Sequence, residues 1–525
     1  MPRFRRTPGP IPSELSDNFS ESQVVRKRVV AARGGIVAAQ HKRAAQVGAS
    51  ILETGGDAVD AAVATSFALG VVEPWMSGIA AGGCMLVWRT GEAKPCAIDY
   101  GMRSPAELDP AHYPIVGGLA PDLFAWPRVK DDRNVQGAAA VAVPGVVAGM
   151  ALAHERYGRL PWRDLVAPAV RLAQEGMLLD WFAGLQIASA ARALADDRDA
   201  AAMFLEDGRW APLAGWTALT EKRLDQRRLA ATLEVIAREG AKALYGGDVG
   251  AAIVKDVRGK GGCLSLADLA AYEAHAAEPL HSAYHGGRMF AAPGMTGGPA
   301  LTACLEFLQP LKNPRYADYA RALDRAWRRR LGESGDEESC TTHFSVVDRH
   351  GNLCAVTQTL LSIFGSRVVS PATGVLLNNG IMWFDPEPRK PNSLGPAKRC
   401  LGNYCPAAGE TPAGARFALG ASGGRKIVGT VLQLSSFLID DGATLEEAFH
   451  RPRIDMSGGD RVIADVALPP EDLRTLQAAF PVSTARRLPF PYHFAVPAGV
   501  MRSGELNAGC TETHSPWGDA VAERA

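Results

Sequence analysis

TTHFSVVDRHGNLCAVTQTL, residues Thr341 to Leu360, decides how this chain reads. Two strand-like runs flank Arg349-His350-Gly351, three residues that close on glycine. That loop suits a hairpin, because the last residue of a three-residue turn takes the left-handed conformation that glycine adopts freely. With Asp348 and Asn352 bracketing the loop, Thr341 lies opposite Thr359 and His343 opposite Thr357. Side chains alternate along a strand, so a slip of one residue would turn each of them to the other face. In this register Thr341, His343, Ser345, Thr357 and Thr359 share a polar face, while Phe344, Val346, Val356 and Leu360 share an apolar one. The pattern predicts a strand pair buried on one side with hydroxyls gathered on the other. Hydroxyl ladders are also common on exposed strands, and His343 alone reads as a surface or packing histidine.

A threonine hydroxyl is a poor nucleophile at neutral pH and needs an adjacent base. Breaking the bond before Thr341 would create one on the same residue, since a free α-amine titrates at about 7.7–8.0. Thr359, opposite, would orient the hydroxyl. Just upstream, RRRLGESGDEESC (Arg328–Cys340) has one apolar aliphatic residue among small and charged ones. It reads as an exposed, mobile linker that lets a freed end move away. Cys340 itself has no identifiable partner base nearby.

Further outward, 525 residues suffice for one large core or two to three ordinary ones. Basic and acidic residues balance at 56 each, which excludes the electrostatic footprint of a nucleic-acid binder. The nine cysteines are scattered, with no CxxC pair, Cys/His cluster, HExxH or phosphate loop, so no disulfide framework, metal or cofactor is expected. No run of about 18 apolar residues suggests a membrane span. The basic start lacks an apolar run behind it, so residues 1–33 read as a disordered tail of a cytoplasmic protein. Ile36 to Glu73 reads as two helices, the first ended by Gly55-Gly56 and the second capped by Asp57. The Gly-rich link Ser77–Gly83 leads into two strands, CMLVW and CAIDY, and Pro144-Gly145 opens a helix with proline in its first turn. From about Gly158 to Leu269 the pattern is helical.

At this point several ordered blocks resemble the γ-glutamyltransferase family. TTHFSVVDRHGNLCAVTQTL looks like that family's autoprocessing motif. VLLNN (Val375–Asn379) and LGASGGRKI (Leu419–Ile427) follow at about the expected spacing. Upstream, the stretch from Gly34 to Gly83 resembles the family's N-terminal signature, and VAVPGVVAGM (Val141–Met150) another of its blocks. The resemblance implies an α+β fold, a four-layer αββα sandwich of the N-terminal nucleophile hydrolase type. It implies a large subunit, 34–340, and a small one, 341–525, each the partner of the other after autocleavage. Thr341 matches the nucleophile, Thr359 the threonine that hydrogen-bonds it, and Gly423-Gly424 the glycine pair near the oxyanion hole. Glycine suits that place because it lets backbone N–H groups approach a developing charge.

Departures from the family pattern fall elsewhere. The family holds the glutamyl α-carboxylate with an Arg in a D-F-R-E-x-A-P stretch; here DYGMRSP (Asp99–Pro105) puts Gly101 at that place and Arg103 two residues on. The acidic residue expected after the Asn pair counts to Trp383, with Asp385 two further along. Leu361 stands for an Asn, Gly402-Asn403 stand for a serine pair, and the stretch from Asp385 to Lys398 is short for a lid. Arg103, Asn379, Asp385 and Asn403 are the candidate substrate contacts. Losing an ion-pair partner from a desolvated pocket costs several kcal/mol, so glutathione is not expected to be held in the standard way. The expected activity is amide hydrolysis or acyl transfer on a small-molecule or peptide γ-glutamyl, or similar acyl, amide. A glutaryl or cephalosporin-type acylase and a poly-γ-glutamate hydrolase are the alternatives within the class. A relative that has lost catalysis and serves as a scaffold is the alternative outside it.

Overall fold

A computed structural model describes residues 25–120, 126–213, 221–331, 341–457 and 459–524. The stretch from Ile36 begins with a strand, β1 (Ile36–Ala39), and its first helix is α1 (Lys42–Glu53). Gly55, at φ +92°, turns the chain after α1 through a conformation that a side chain would strain. Asp57 then caps α2 (Ala58–Val72): its carboxylate accepts the N–H groups of Val59 and Asp60, and Asp60 answers on the Asp57 N–H. α2 is apolar all round and buried everywhere except at Gly70, which makes it a core helix. Pro144 lies just ahead of the N-cap Gly145, one residue outside the helix Val146–Tyr157 rather than in its first turn. Helices then dominate up to Ala270, as the pattern predicts.

Two seven-stranded sheets stack on each other. One contains β1, β2 (Gly82–Trp88), β3 (Thr342–Val347) and β4 (Leu353–Thr359), with β3 and β4 at its centre between β1 and β2. The other has β5 (Arg416–Ser422) at its centre, flanked by Val496–Ser503 and Ala407–Glu410. Every pairing within these two sheets is antiparallel. Leu86, Trp88, Ala355, Ala418 and Val500 belong to a core between the sheets. α2 and the helices after it pack on the outer face of the first sheet. Gly298–Leu308, Tyr316–Leu331 and α3 (Lys426–Asp440) pack on the outer face of the second. The result is the expected αββα sandwich. Both sheets combine strands from before and after Thr341, so neither half could bury its apolar surface alone.

Three expectations need correction. All residues of β3 and β4 are buried on both faces, so the hydroxyl face is not exposed but pressed against the second sheet. The tail expected over residues 1–33 is ordered at its end: Val30–Ala32 form an edge strand paired with Asn507–Gly509, and Lys27 Nζ donates to Thr511 Oγ1 and two carbonyls. Residues 1–24 lie outside the described residues. The linker expected over Arg328–Cys340 starts inside the helix Tyr316–Leu331, and residues 332–340, including Cys340, lie outside the described residues. Among the described residues no helix is long and apolar enough to cross a membrane.

Candidate active site

β3 and β4 pair as Thr342 with Gln358, His343 with Thr357 and Val347 with Leu353. The loop closes as expected, with Gly351 at φ +83° and its N–H on the Asp348 carbonyl at 3.0 Å. Asp348 holds this turn further, accepting the N–H groups of His350 and Asn352. Thr341 therefore stands at the open end of the hairpin, at the head of β3, and Thr359 at the end of β4. Thr341 is 4% exposed and Thr359 fully buried.

Beyond Thr359 the chain leaves the sheet in a strained turn. Thr359 Oγ1 accepts the N–H of Leu361 at 2.8 Å, and Leu361 sits at φ +90°. A leucine there costs on the order of 1–3 kcal/mol and persists only where its surroundings over-determine it. They do: Leu360 N–H reaches the Met76 carbonyl, Asn379 N–H the Leu360 carbonyl, and Asn379 Oδ1 accepts the Ser362 N–H. Asn379 Nδ2 also donates to the Val135 carbonyl and Ser362 Oγ. Asn379 thus acts as a staple of the turn that carries Thr359. The adjacent Asn378 makes four bonds of its own, to Ala80, Ala142 (twice) and Gly380.

His343 lies on the hydroxyl face, fully buried, its ring nitrogens on Thr357 Oγ1 (2.8 Å) and Ser345 Oγ (3.0 Å). Burial pushes its pKa down to about 3, so it is neutral at physiological pH. It is a packing histidine, placed between the sheets rather than at the surface. Gly420 of β5 lies directly over it, and a Cβ there would come within 2.4 Å of His343 Cε1. Three residues beyond Gly420 come Gly423 and Gly424, at φ +128° and +60°, followed by the first turn of α3. A Cβ on Gly423 would stand 3.0 Å from Ala495 Cα. Successive glycines in these conformations at a helix N-terminus present N–H groups and the positive end of the helix dipole, which suits a developing oxyanion.

The remaining candidates have other commitments. Asp385 is buried, its Oδ1 accepting the Glu387 N–H at 2.9 Å and its Oδ2 paired with Lys390 at 2.8 Å. Arg103 pairs its backbone with Val143 and donates from Nε to the Ala397 carbonyl at 3.2 Å. Trp383 and Tyr404 meet edge to face at 5.1 Å, in an apolar cluster with Met102 and Leu361. Asn403, next to Tyr404 in sequence, is buried, and its Nδ2 has no hydrogen-bond partner among the described residues. Among the described residues no three His, Cys, Asp or Glu side chains group closely enough to ligate a metal ion.

One buried acid escaped the sequence reading. Glu73 follows α2 and is buried, its Oε2 accepting the Thr342 hydroxyl at 2.8 Å; burial pushes its pKa up to about 8. A carboxylate set directly after a long apolar helix and before proline was the available signal.

Comparison with known proteins bears on the family and the fold. The profile of the Gamma-glutamyltranspeptidase family matches residues 44–331 and 317–479. The chain is 33% identical over 481 residues to the Acylase ACY 1 proenzyme of Pseudomonas sp. (strain SE83), covering 82% of this chain and 84% of that protein. It is 29% identical over 515 residues to the Glutathione hydrolase proenzyme of Escherichia coli (strain K12), covering 86% of each. Its fold matches the crystal structure of a cephalosporin acylase from Bacillus halodurans with a TM-score of 0.82, over 96% of this chain and 99% of that one at 24% identity.

Proposed function

The chain belongs to the gamma-glutamyltranspeptidase family, an amide-cleaving and acyl-transferring family of N-terminal nucleophile fold, and on that premise we propose that Thr341 is its nucleophile. The carrying observation is the position of Thr341 at the head of a buried strand, in line with the register that sets it opposite Thr359. In this reading the bond between Cys340 and Thr341 is cut, and residues up to 340 and from 341 onward stay together through the shared sheets. The freed α-amine takes the proton of the Thr341 hydroxyl as it attacks the amide carbonyl. The tetrahedral oxyanion rests on the N–H groups of Gly423 and Gly424. The amine then returns the proton to the leaving group, and water or an amine resolves the acyl-enzyme.

The donor is a γ-glutamyl or similar acyl amide. Gly101 and Trp383 stand where the family's charged head-group contacts are expected, and both Asp385 oxygens are engaged within its own loop. These features favour a donor without the α-ammonium, such as a glutaryl-type acyl group, whose terminal carboxylate would be met by neutral hydrogen-bond donors in place of the family's arginine. Asn403, whose Nδ2 has no partner among the described residues, is the candidate polar contact for such a group. A panel of chromogenic anilides (γ-glutamyl, glutaryl and simple acyl) tests the proposal. Turnover of glutaryl at least as fast as γ-glutamyl is expected. A preference for γ-glutamyl of about 100-fold or more would mean the head group is held by ion pairs after all.

A further inference from the structure

Thr342 and Gln358 are partners in the hairpin register and point away from the nucleophile face, into the helical layer. Both are tied to one segment. Thr342 Oγ1 donates to Glu73 Oε2 at 2.8 Å, and Gln358 Oε1 accepts from Ser66 Oγ of α2 at 2.7 Å. The next residue along each strand toward its open end is Thr341 on one side and Thr359 on the other. The chain just after Glu73 completes the clamp, with the Met76 carbonyl taking the Leu360 N–H and the Trp75 carbonyl the Phe364 N–H, both at 3.0 Å. The open end of the hairpin is therefore held from behind by polar bonds inside an apolar layer, and Glu73 makes the one that bears on β3.

We propose that Glu73 is a positioning residue that works as a neutral carboxylic acid, holding Thr342 so that Thr341 is aimed at the acyl carbon. This rests on Thr341 being the nucleophile. A neutral acid suits the place. Glu73 borders a small cleft lined by Gln40, His41, Trp75, Tyr492 and Trp517, and among the described residues of the uncut chain no cation stands against it. His41 is itself pushed down to about 4 by burial and faces the cleft uncharged. The charged groups of the packed elements are engaged elsewhere, Asp180 on Trp517 Nε1 and Lys426 on the Tyr492 carbonyl. Ionising Glu73 would leave a buried charge with a single hydroxyl partner, a state that draws in water and releases the strand.

The test compares kcat and KM against pH for the wild type, Glu73→Gln and Glu73→Ala on whichever anilide the wild type turns over. Glutamine keeps the acceptor for Thr342 without a titrating proton. The wild type should lose kcat above about pH 8, and Glu73→Gln should keep kcat near pH 7 within about 3-fold and lack that alkaline fall. Glu73→Ala should lower kcat by about 10–100-fold with little change in KM. Thr342→Val, which keeps the side-chain shape, should fall on the same side as Glu73→Ala and guards against a Glu73→Ala chain that does not fold. A Glu73→Gln enzyme that keeps the wild-type alkaline fall, or that is as impaired as Glu73→Ala, overturns the proposal. Failure of the nucleophile reading shows separately, as turnover retained by Thr341→Ala.

Discussion

The two ends of this site are built on different principles. At the nucleophile end, each group that the chemistry needs is fixed by backbone: Thr341 and Thr359 by a hairpin register, Gly423 and Gly424 by positive φ at the start of α3. At the end where an acyl group would be recognised, position depends on side chains, and those have moved on. Gly101 and Trp383 occupy the places of charged residues; of the residues two along, Asp385 is bonded within its own loop and Arg103 to the distant Ala397 carbonyl. Backbone-set chemistry tolerates no substitution without loss, whereas a recognition surface can be rebuilt one side chain at a time. On the proposed reading, this difference accounts for a chain that keeps the residues matching the family's reaction machinery beside changed residues at its recognition positions.

Substitutions at the nucleophile end should therefore be far more damaging than those at the recognition end. Thr341→Ala should leave the chain uncut and lower turnover by about 10⁴-fold or more, as read from a denaturing gel and an anilide assay. Gly423→Ala forces a Cβ to 3.0 Å from Ala495 Cα in a backbone conformation that alanine resists. It should cost about 10²–10³-fold in kcat with KM little changed. A rise in KM with kcat unchanged would place Gly423 in binding instead. Gly420→Ala sets a methyl 2.4 Å from the His343 ring and should lower stability by about 1–3 kcal/mol in urea titrations, because the sheets cannot separate cheaply. Asp385→Asn should change kcat/KM for an aminated donor by less than about 3-fold, since its carboxylate serves the Lys390 pair and the Glu387 N–H. A larger rise in KM confined to aminated donors would return Asp385 to the head-group site.

A pH dependence of stability follows from Glu73. Native Glu73 keeps its proton up to about 8, whereas the same side chain in an unfolded chain releases it near 4.5. The folded state thus binds more protons between these values. The stability Glu73 contributes is complete below about 4.5 and is lost as pH rises to about 8. In Glu73→Gln that segment of the Tm-versus-pH curve should flatten, and an unchanged slope would assign it to another group.

The hairpin at Thr341 was legible because it rests on local rules, whereas the sandwich was expected only from the family resemblance. Gly351 at the turn set the register, and the Asp57 cap and Gly55 turn bounded two helices, each from a few adjacent residues. What depends on distant packing was not. Nothing in TTHFSVVD says that its hydroxyl face meets a second sheet, since that follows from Gly420, some 75 residues away, lying over His343. The edge strand Val30–Ala32 was missed because its strand partner, Asn507–Gly509, lies near the other end of the chain. Glu73 was passed over for the same reason, its meaning being a bond to Thr342.

The most direct measurement is the N-terminal sequence and mass of the polypeptides in purified, active protein. Two chains are predicted, the smaller beginning at Thr341 with a free α-amine and running to Ala525. Activity residing in one continuous chain, with residue 341 still joined to residue 340, would contradict the proposed nucleophile.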